Sequence, residues 1–154
     1  MYSFDVFDTL LTRVTATPTG IFALIQEKIQ QGFLEGIDSY VKENFFYLRI
    51  GAEEVARNTY AKAGVEEVTI EQIYGVLVKE HLLTERQAIS FVQLEQEVEK
   101  DCVRGIPANI KKVKQLVAEG EKVVLISDMY LDQETIQAMV RKVDPILASL
   151  PLYV

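Results

Sequence analysis

Cysteine and histidine are nearly missing from this chain of 154 residues, which holds one of each, Cys102 and His81. A lone cysteine can form no internal disulfide, which suits a reducing cytoplasm. One cysteine and one histidine cannot build a zinc site. Cys102 reads as a small core residue and His81, in a polar helical turn, as a solvated side chain. No apolar run approaches the roughly 20 residues of a membrane span, and the N-terminus lacks the basic-then-apolar layout of a secretory leader. Positive charge is scarce as well. With 16 Lys and Arg against 23 Asp and Glu, the net charge is −7. That balance argues against nucleic acid and anionic membrane as partners, since both call for basic patches. Neither G-x-G-x-x-G nor G-x-x-x-x-G-K-[ST] occurs, which excludes the nucleotide-binding Rossmann domains. There is no internal repeat, low-complexity tract or flexible linker.

What is present is an ordinary apolar content, 49% hydrophobic, enough for one domain or one domain with an insert. The opening run Tyr2-Ser3-Phe4-Asp5-Val6-Phe7-Asp8-Thr9-Leu10-Leu11 reads as a buried parallel strand that ends at an acid and leaves into a polar loop. In open α/β sheets, ligands sit outside the carboxyl ends of strands. Asp5 is therefore either a chemical group or a cap on the strand-to-loop turn. A second run, Val123-Val124-Leu125-Ile126-Ser127-Asp128-Met129-Tyr130-Leu131, has the same design and ends in a hydroxyl and an acid. A helix from Pro107 to about Glu119, closed by Gly120, precedes it. Asp132 follows as the N-cap of another helix, with Ile136, Met139, Val140 and Val143 as its buried stripe.

Between these runs, Thr17 to Val103 contains no convincing strand. Thr17 and Pro18 open a helix that Gly32 closes. A longer one runs from about Asp38 to Ala63, with Val41, Phe45, Leu48, Ala52 and Val55 as its stripe. Thr69 with Gln72, and Thr84 with Gln87, have capping-box spacing and start two more. The last carries Phe91, Leu94, Val98 and Cys102 on one side. A crossover between parallel strands needs a single helix, so the surplus reads as an inserted subdomain or as an enlargement of the core. Arg49, Glu53 and Arg57, spaced by four, suit surface ion pairs. Arg49 and Arg13 are the candidates for binding an anionic substrate.

Taken together, the motifs resemble the haloacid dehalogenase superfamily of hydrolases. Asp5-Val6-Phe7-Asp8-Thr9 is similar to its first motif, an Asp nucleophile in a D-x-D-x-T type pattern, and Ser127 to the Ser or Thr of its second. The closest resemblance is to the branch with F-D-x-F-D-T-L-L and S-D-M-Y-L, and it spans nearly the whole chain. The resemblance implies an α/β fold: a Rossmann-like parallel core of three strands, incomplete on one side, over residues 1–14 and 104–154. It implies a helical cap over 15–103, closing the site and choosing the substrate. It further implies catalytic Asp5 and Ser127, substrate contacts at Thr9 and Asp128, and Mg2+ held by Asp5 and the Phe7 carbonyl; Arg49, beside the core stripe of its helix, is the added substrate-binding candidate. The substrate would be a small phosphorylated or otherwise anionic molecule. Attack by a carboxylate on a dianion at ~4 Å costs roughly 8 kcal/mol at an effective dielectric near 20, so a cation is required.

Two departures stand out. Family phosphatases carry an acid two positions after the nucleophile, worth about 10²–10⁴-fold as a general acid, and this chain has Phe7 there. The dehalogenase and phosphonate-cleaving branches also lack that acid. The third-motif lysine and fourth-motif acids should lie beyond Pro151-Leu152-Tyr153-Val154, which reads as the third core strand. Lys142 precedes that strand and does not qualify. The expectation is thus the N-terminal part of a longer hydrolase, inactive by itself and prone to dimerise or swap through an exposed sheet edge. The rival expectation is a catalytically degenerate binding or regulatory module. A receiver-type phosphoacceptor domain fits poorly, since receivers place the acceptor after a later strand and carry no helical insert.

Overall fold

In the computed structural model, which describes residues 1–154, the two apolar runs lie side by side. Tyr2–Asp5 (β1) and Val123–Ile126 (β4) pair in parallel, with Tyr2 opposite Val123 and Asp5 opposite Ile126. Leu152–Tyr153 (β5) joins the far side of β4, again parallel, giving the order β1-β4-β5. The ladder continues past the strand ends: the Val6 N–H donates to the Ile126 carbonyl at 2.9 Å and the Ser127 N–H to that of Tyr153 at 2.9 Å. Along β4 the side chains alternate, Val123 and Leu125 buried and Ile126 exposed, as the two-residue period of a strand demands.

Two helices pack with this sheet. Pro107–Ala118 (α5) starts with proline at its first turn, where the missing N–H has no intrahelical partner to lose. Gly120, at φ +78°, turns the chain out of it toward β4. Gln133–Val143 (α6) is capped by Asp132, whose carboxylate accepts from the Thr135 N–H at 2.8 Å and hydroxyl at 3.0 Å. Ile136, Met139 and Val140 are its buried stripe, with Val143 half-buried.

A small antiparallel sheet departs from the sequence expectation. Leu11–Arg13 (β2) pairs with Val103–Gly105 (β3), setting Leu11 opposite Gly105 and Arg13 opposite Val103. Gly105 is dictated by packing: a Cβ there would lie 2.5 Å from Val143 Cγ1 and 2.6 Å from Ile110 Cδ1.

The chain divides into two compact units, Met1–Val14 with Glu99–Val154, and Thr15–Val98. The first holds both sheets with α5 and α6. The second is helical: Gly20–Gln30 (α1), Ser39–Lys62 (α2), Ile70–Lys79 (α3) and most of Glu85–Cys102 (α4), whose final turn belongs to the first unit. The expected boundary at Val103 moves to Val98 because Glu99–Cys102 packs with the α/β unit. Helix α1 starts later than expected, after Thr19, because Thr17 and Pro18 form a turn whose Thr17 carbonyl accepts the Gly20 N–H at 3.0 Å. Capping boxes form at both expected places, Thr69 with Gln72 and Thr84 with Gln87.

The buried face of α2 is rotated from the expected one. Val41, Phe45, Arg49, Ala52 and Ala56 point inward, and Val55 is exposed. A charged residue occupies the middle of the stripe, so counting apolar residues alone chose Leu48 and Val55 instead. Stacked rings of Phe45, Tyr74 and Phe91 fill the interior, with Phe45 and Phe91 centroids 5.0 Å apart. No helix is long and apolar enough to cross a membrane.

Candidate active site at the strand ends

Asp5 is the last residue of β1, and Ser127 follows the last residue of β4. Parallel pairing puts both at the same edge of the sheet, on adjacent strands. Beyond Asp5 the chain makes one tight turn: the N–H groups of Leu10 and Leu11 both donate to the Val6 carbonyl, at 3.0 and 2.8 Å. Asp8 takes the left-handed conformation within it, at φ +57°. Few residues accept that conformation, and Asp and Asn accept it better than most others bearing a side chain. The Asn109 side chain pins the turn by donating to the Thr9 carbonyl at 2.7 Å. Thr9 is half-buried and Asp128 exposed.

Ser127 is 5% exposed. Its hydroxyl oxygen accepts the Met129 N–H at 3.2 Å, and as a hydroxyl it still has a proton to donate. As the edge strand of its sheet, β1 is largely exposed, against the buried strand expected, and Asp5 is exposed with it. Partial desolvation of the Asp5 carboxyl nonetheless raises its pKa above the ordinary value, and the Val6 N–H opposes this. The carboxylates of Asp128 and Asp8 raise it further. Three acids thus gather at one sheet edge, and none of them forms an ion pair.

Both candidate anion-binding arginines are committed elsewhere. Arg13 donates to Glu99 at 2.8 and 3.0 Å, touches the Met129 sulfur at 3.6 Å and covers the Phe7 ring at 4.9 Å. Arg49 is fully buried within the helical unit. It donates to Glu95 at 2.9 and 2.8 Å and to Glu53 at 3.0 Å, and it lies 4.4 Å from the Phe22 ring centroid. The Tyr74 hydroxyl adds a 2.6 Å bond to Glu95. Arg49 therefore holds the helical unit together and is corrected from a substrate ligand to a core residue. Glu53 and Arg57 pair on the surface at 2.9 Å.

Glu95 and Glu99 were missed from sequence, although both fall on the apolar face of α4 among Phe91, Leu94, Val98 and Cys102. Acids at such positions signal buried partners, because a buried charge without one is costly. Cys102 is buried, and burial with the charges of Glu99 and Asp101 holds its thiol pKa up, so the thiol stays protonated. His81 is exposed and takes φ +59° just past α3, where glycine is the usual residue. No group of three His, Cys, Asp or Glu side chains is arranged to hold a metal ion. Neither the protein-family models nor the curated proteins include a match to this chain.

Proposed function

We propose that the chain is part of a magnesium-dependent hydrolase of the haloacid dehalogenase type, acting in the cytoplasm on a small phosphorylated or otherwise anionic substrate. The observation that supports this reading is the pairing of β1 with β4, which brings Asp5 and Ser127 to one sheet edge. Asp5 attacks the phosphorus, the bond to the leaving oxygen breaks, and that oxygen keeps the electron pair and takes a proton from solvent. Water then hydrolyses the resulting aspartyl phosphate, releasing inorganic phosphate and restoring the Asp5 carboxylate. The Ser127 hydroxyl donates to an oxygen of the transferring group. In this reading Asp5 and the Phe7 carbonyl would hold the magnesium ion, with the carboxylates of Asp8 and Asp128 adding negative charge beside Asp5. Magnesium is commonly held by one or two carboxylates, with water and substrate phosphate completing its shell. When bound, it supplies the positive charge that offsets repulsion between carboxylate and phosphate. The helical unit 15–98 would take the part of the substrate-selecting cap.

A binding module without turnover is the second reading, and Phe7 favours it. Its ring lies under Arg13 where family phosphatases carry an acid. The two readings separate in one assay, hydrolysis of small phosphate esters and 2-haloacids with and without magnesium. It is run on this chain, on a chain extended through the residues encoded after Val154, and on Asp5→Asn of each. Turnover that needs Asp5 and the extension supports the hydrolase. An extended chain inert across the panel supports the binding module.

A further inference from the structure

We propose that the cavity formed by β3, the start of α5 and the end of α6 binds a small, multiply charged phosphoryl anion. It measures about 590 Å3, and its lining includes Arg104, Lys111, Lys114 and Lys142 but no acidic residue. That is an unusual concentration in a chain of net charge −7. The lining shares no residue with the strand-end site. Val103, Gly105 and Val143 contribute an apolar floor, and Gly105 admits no side chain against its neighbours.

Two of the four cations are fixed in place before any ligand arrives. Arg104 donates through Nη1 to the carbonyls of Asp101 and Val103, at 3.0 and 2.7 Å. The Lys142 ammonium donates to the carbonyls of Lys100 and Asp101, at 2.5 and 3.4 Å. The Lys100 and Asp101 carbonyls belong to the last turn of α4 and the Val103 carbonyl to β3, so the bonds orient both cations against partial negative charges only and leave their formal charges unpaired. Arg104 keeps Nε and Nη2 as donors, the fork that matches phosphate oxygens. Lys114 is the one cation with a carboxylate partner, Asp144 at 3.0 Å. Pro107, the first residue of α5, also lines the cavity, and no side chain caps that helix. Its uncapped end adds partial positive charge. The volume is that of a small-molecule site, and several cations around one concave floor call for a ligand with more than one negative charge.

The test is calorimetric titration of the chain with sodium pyrophosphate at about 20 mM ionic strength, with EDTA present so that no divalent cation bridges. Backbone amide shifts are followed in parallel. The proposal expects saturable one-to-one binding, weaker binding of inorganic phosphate, and shifts confined to residues 103–114 and 142–143. Lys111→Glu should weaken binding by at least about tenfold, whereas Lys112→Glu should stay within about twofold. Lys112 is the next residue on the same helix and lies outside the cavity, so both variants change the net charge equally. Circular dichroism checks that each folds, and Arg104→Gln serves as a second cavity variant. Absence of saturable binding would overturn the proposal. So would equal losses in the two lysine variants, or shifts centred on Asp5–Leu11 and Ser127–Tyr130.

Discussion

Arg13 and Glu99 meet in a two-pronged ion pair, 2.8 and 3.0 Å long, with the arginine side chain 7% exposed and the glutamate fully buried. Through it the turn after β1 and the loop after β4 share one anchor. Arg13 covers the Phe7 ring, and the Tyr130 hydroxyl lies 3.5 Å from the same Glu99. Burial disfavours the charge on Arg13, but Glu99 more than offsets that. Lysine keeps the charge but has neither the planar fork nor the stacking face. Arg13→Lys should therefore cost about 1.5–3 kcal/mol, the range for a hydrogen bond to a charged group. Urea unfolding measures it, and a loss below about 0.5 kcal/mol would show that the pair is not an anchor.

Arg49 and Glu95 give a sharper contrast. Arg49→Met leaves Glu95 buried with only the Tyr74 hydroxyl at 2.6 Å, and should cost about 3–5 kcal/mol. Adding Glu95→Met to Arg49→Met should restore much of it, because the uncompensated charge is gone. If Arg49 bound substrate instead, the single variant would unfold like the parent chain.

Acid titration should separate two carboxyls of opposite sign. The Asp5 pKa is raised in the fold, so its contribution to stability is fully present below its unfolded value and is lost as pH rises through the folded value. Asp5→Asn should then raise Tm at pH 7, with the gain fading toward roughly pH 3–4. Asp144 behaves in reverse. Burial acts to raise its pKa, but the hydrogen bond from Lys114 and the Ile146 N–H hold it below the ordinary value. That stabilisation is present above the unfolded pKa and lost as pH falls through the folded one. Asp144→Asn should lower stability at pH 7 by about 0.2–1 kcal/mol, the range for an exposed pair. Parallel Tm–pH curves for the two variants would contradict both assignments.

Three glycines should respond in different ways to alanine. Gly51 and Gly75 lie inside α2 and α3, where an added Cβ meets nothing within 4 Å. Each change should stabilise by about 0.5–1 kcal/mol. Gly105→Ala drives a methyl into Val143 and Ile110 and should destabilise by about 1–3 kcal/mol. Thermal unfolding of the three variants tests the packing around each.

The strand ends were legible because two apolar runs stop abruptly at Asp5 and at Ser127, and the starts of α3 and α4 because a threonine three residues before a glutamine has few other uses; the start of α1, which has no such box, was not. The pairing of β2 with β3 was not legible. Each strand has three residues, the partners lie far apart in sequence, and no turn signal joins them, so tertiary packing alone decides the pairing. The buried face of α2 was misread for a related reason. Arg49 sits where an apolar residue was sought, and only its partner on another helix makes that position tolerable. The site inherits the same limit: sequence located the acid and the hydroxyl, while Glu99, which fixes Arg13 against Phe7 and Met129, read as one surface charge among many.

Glu95 and Glu99 lie one turn apart on α4, each fully buried and each gripping a guanidinium in its own unit. An α-helix turns by about 100° per residue. Four residues further on, a side chain returns to within about 40° of the same direction. By itself α4 therefore presents two like charges on one side, and it is satisfied only once a guanidinium from a distant part of the chain has reached each of them.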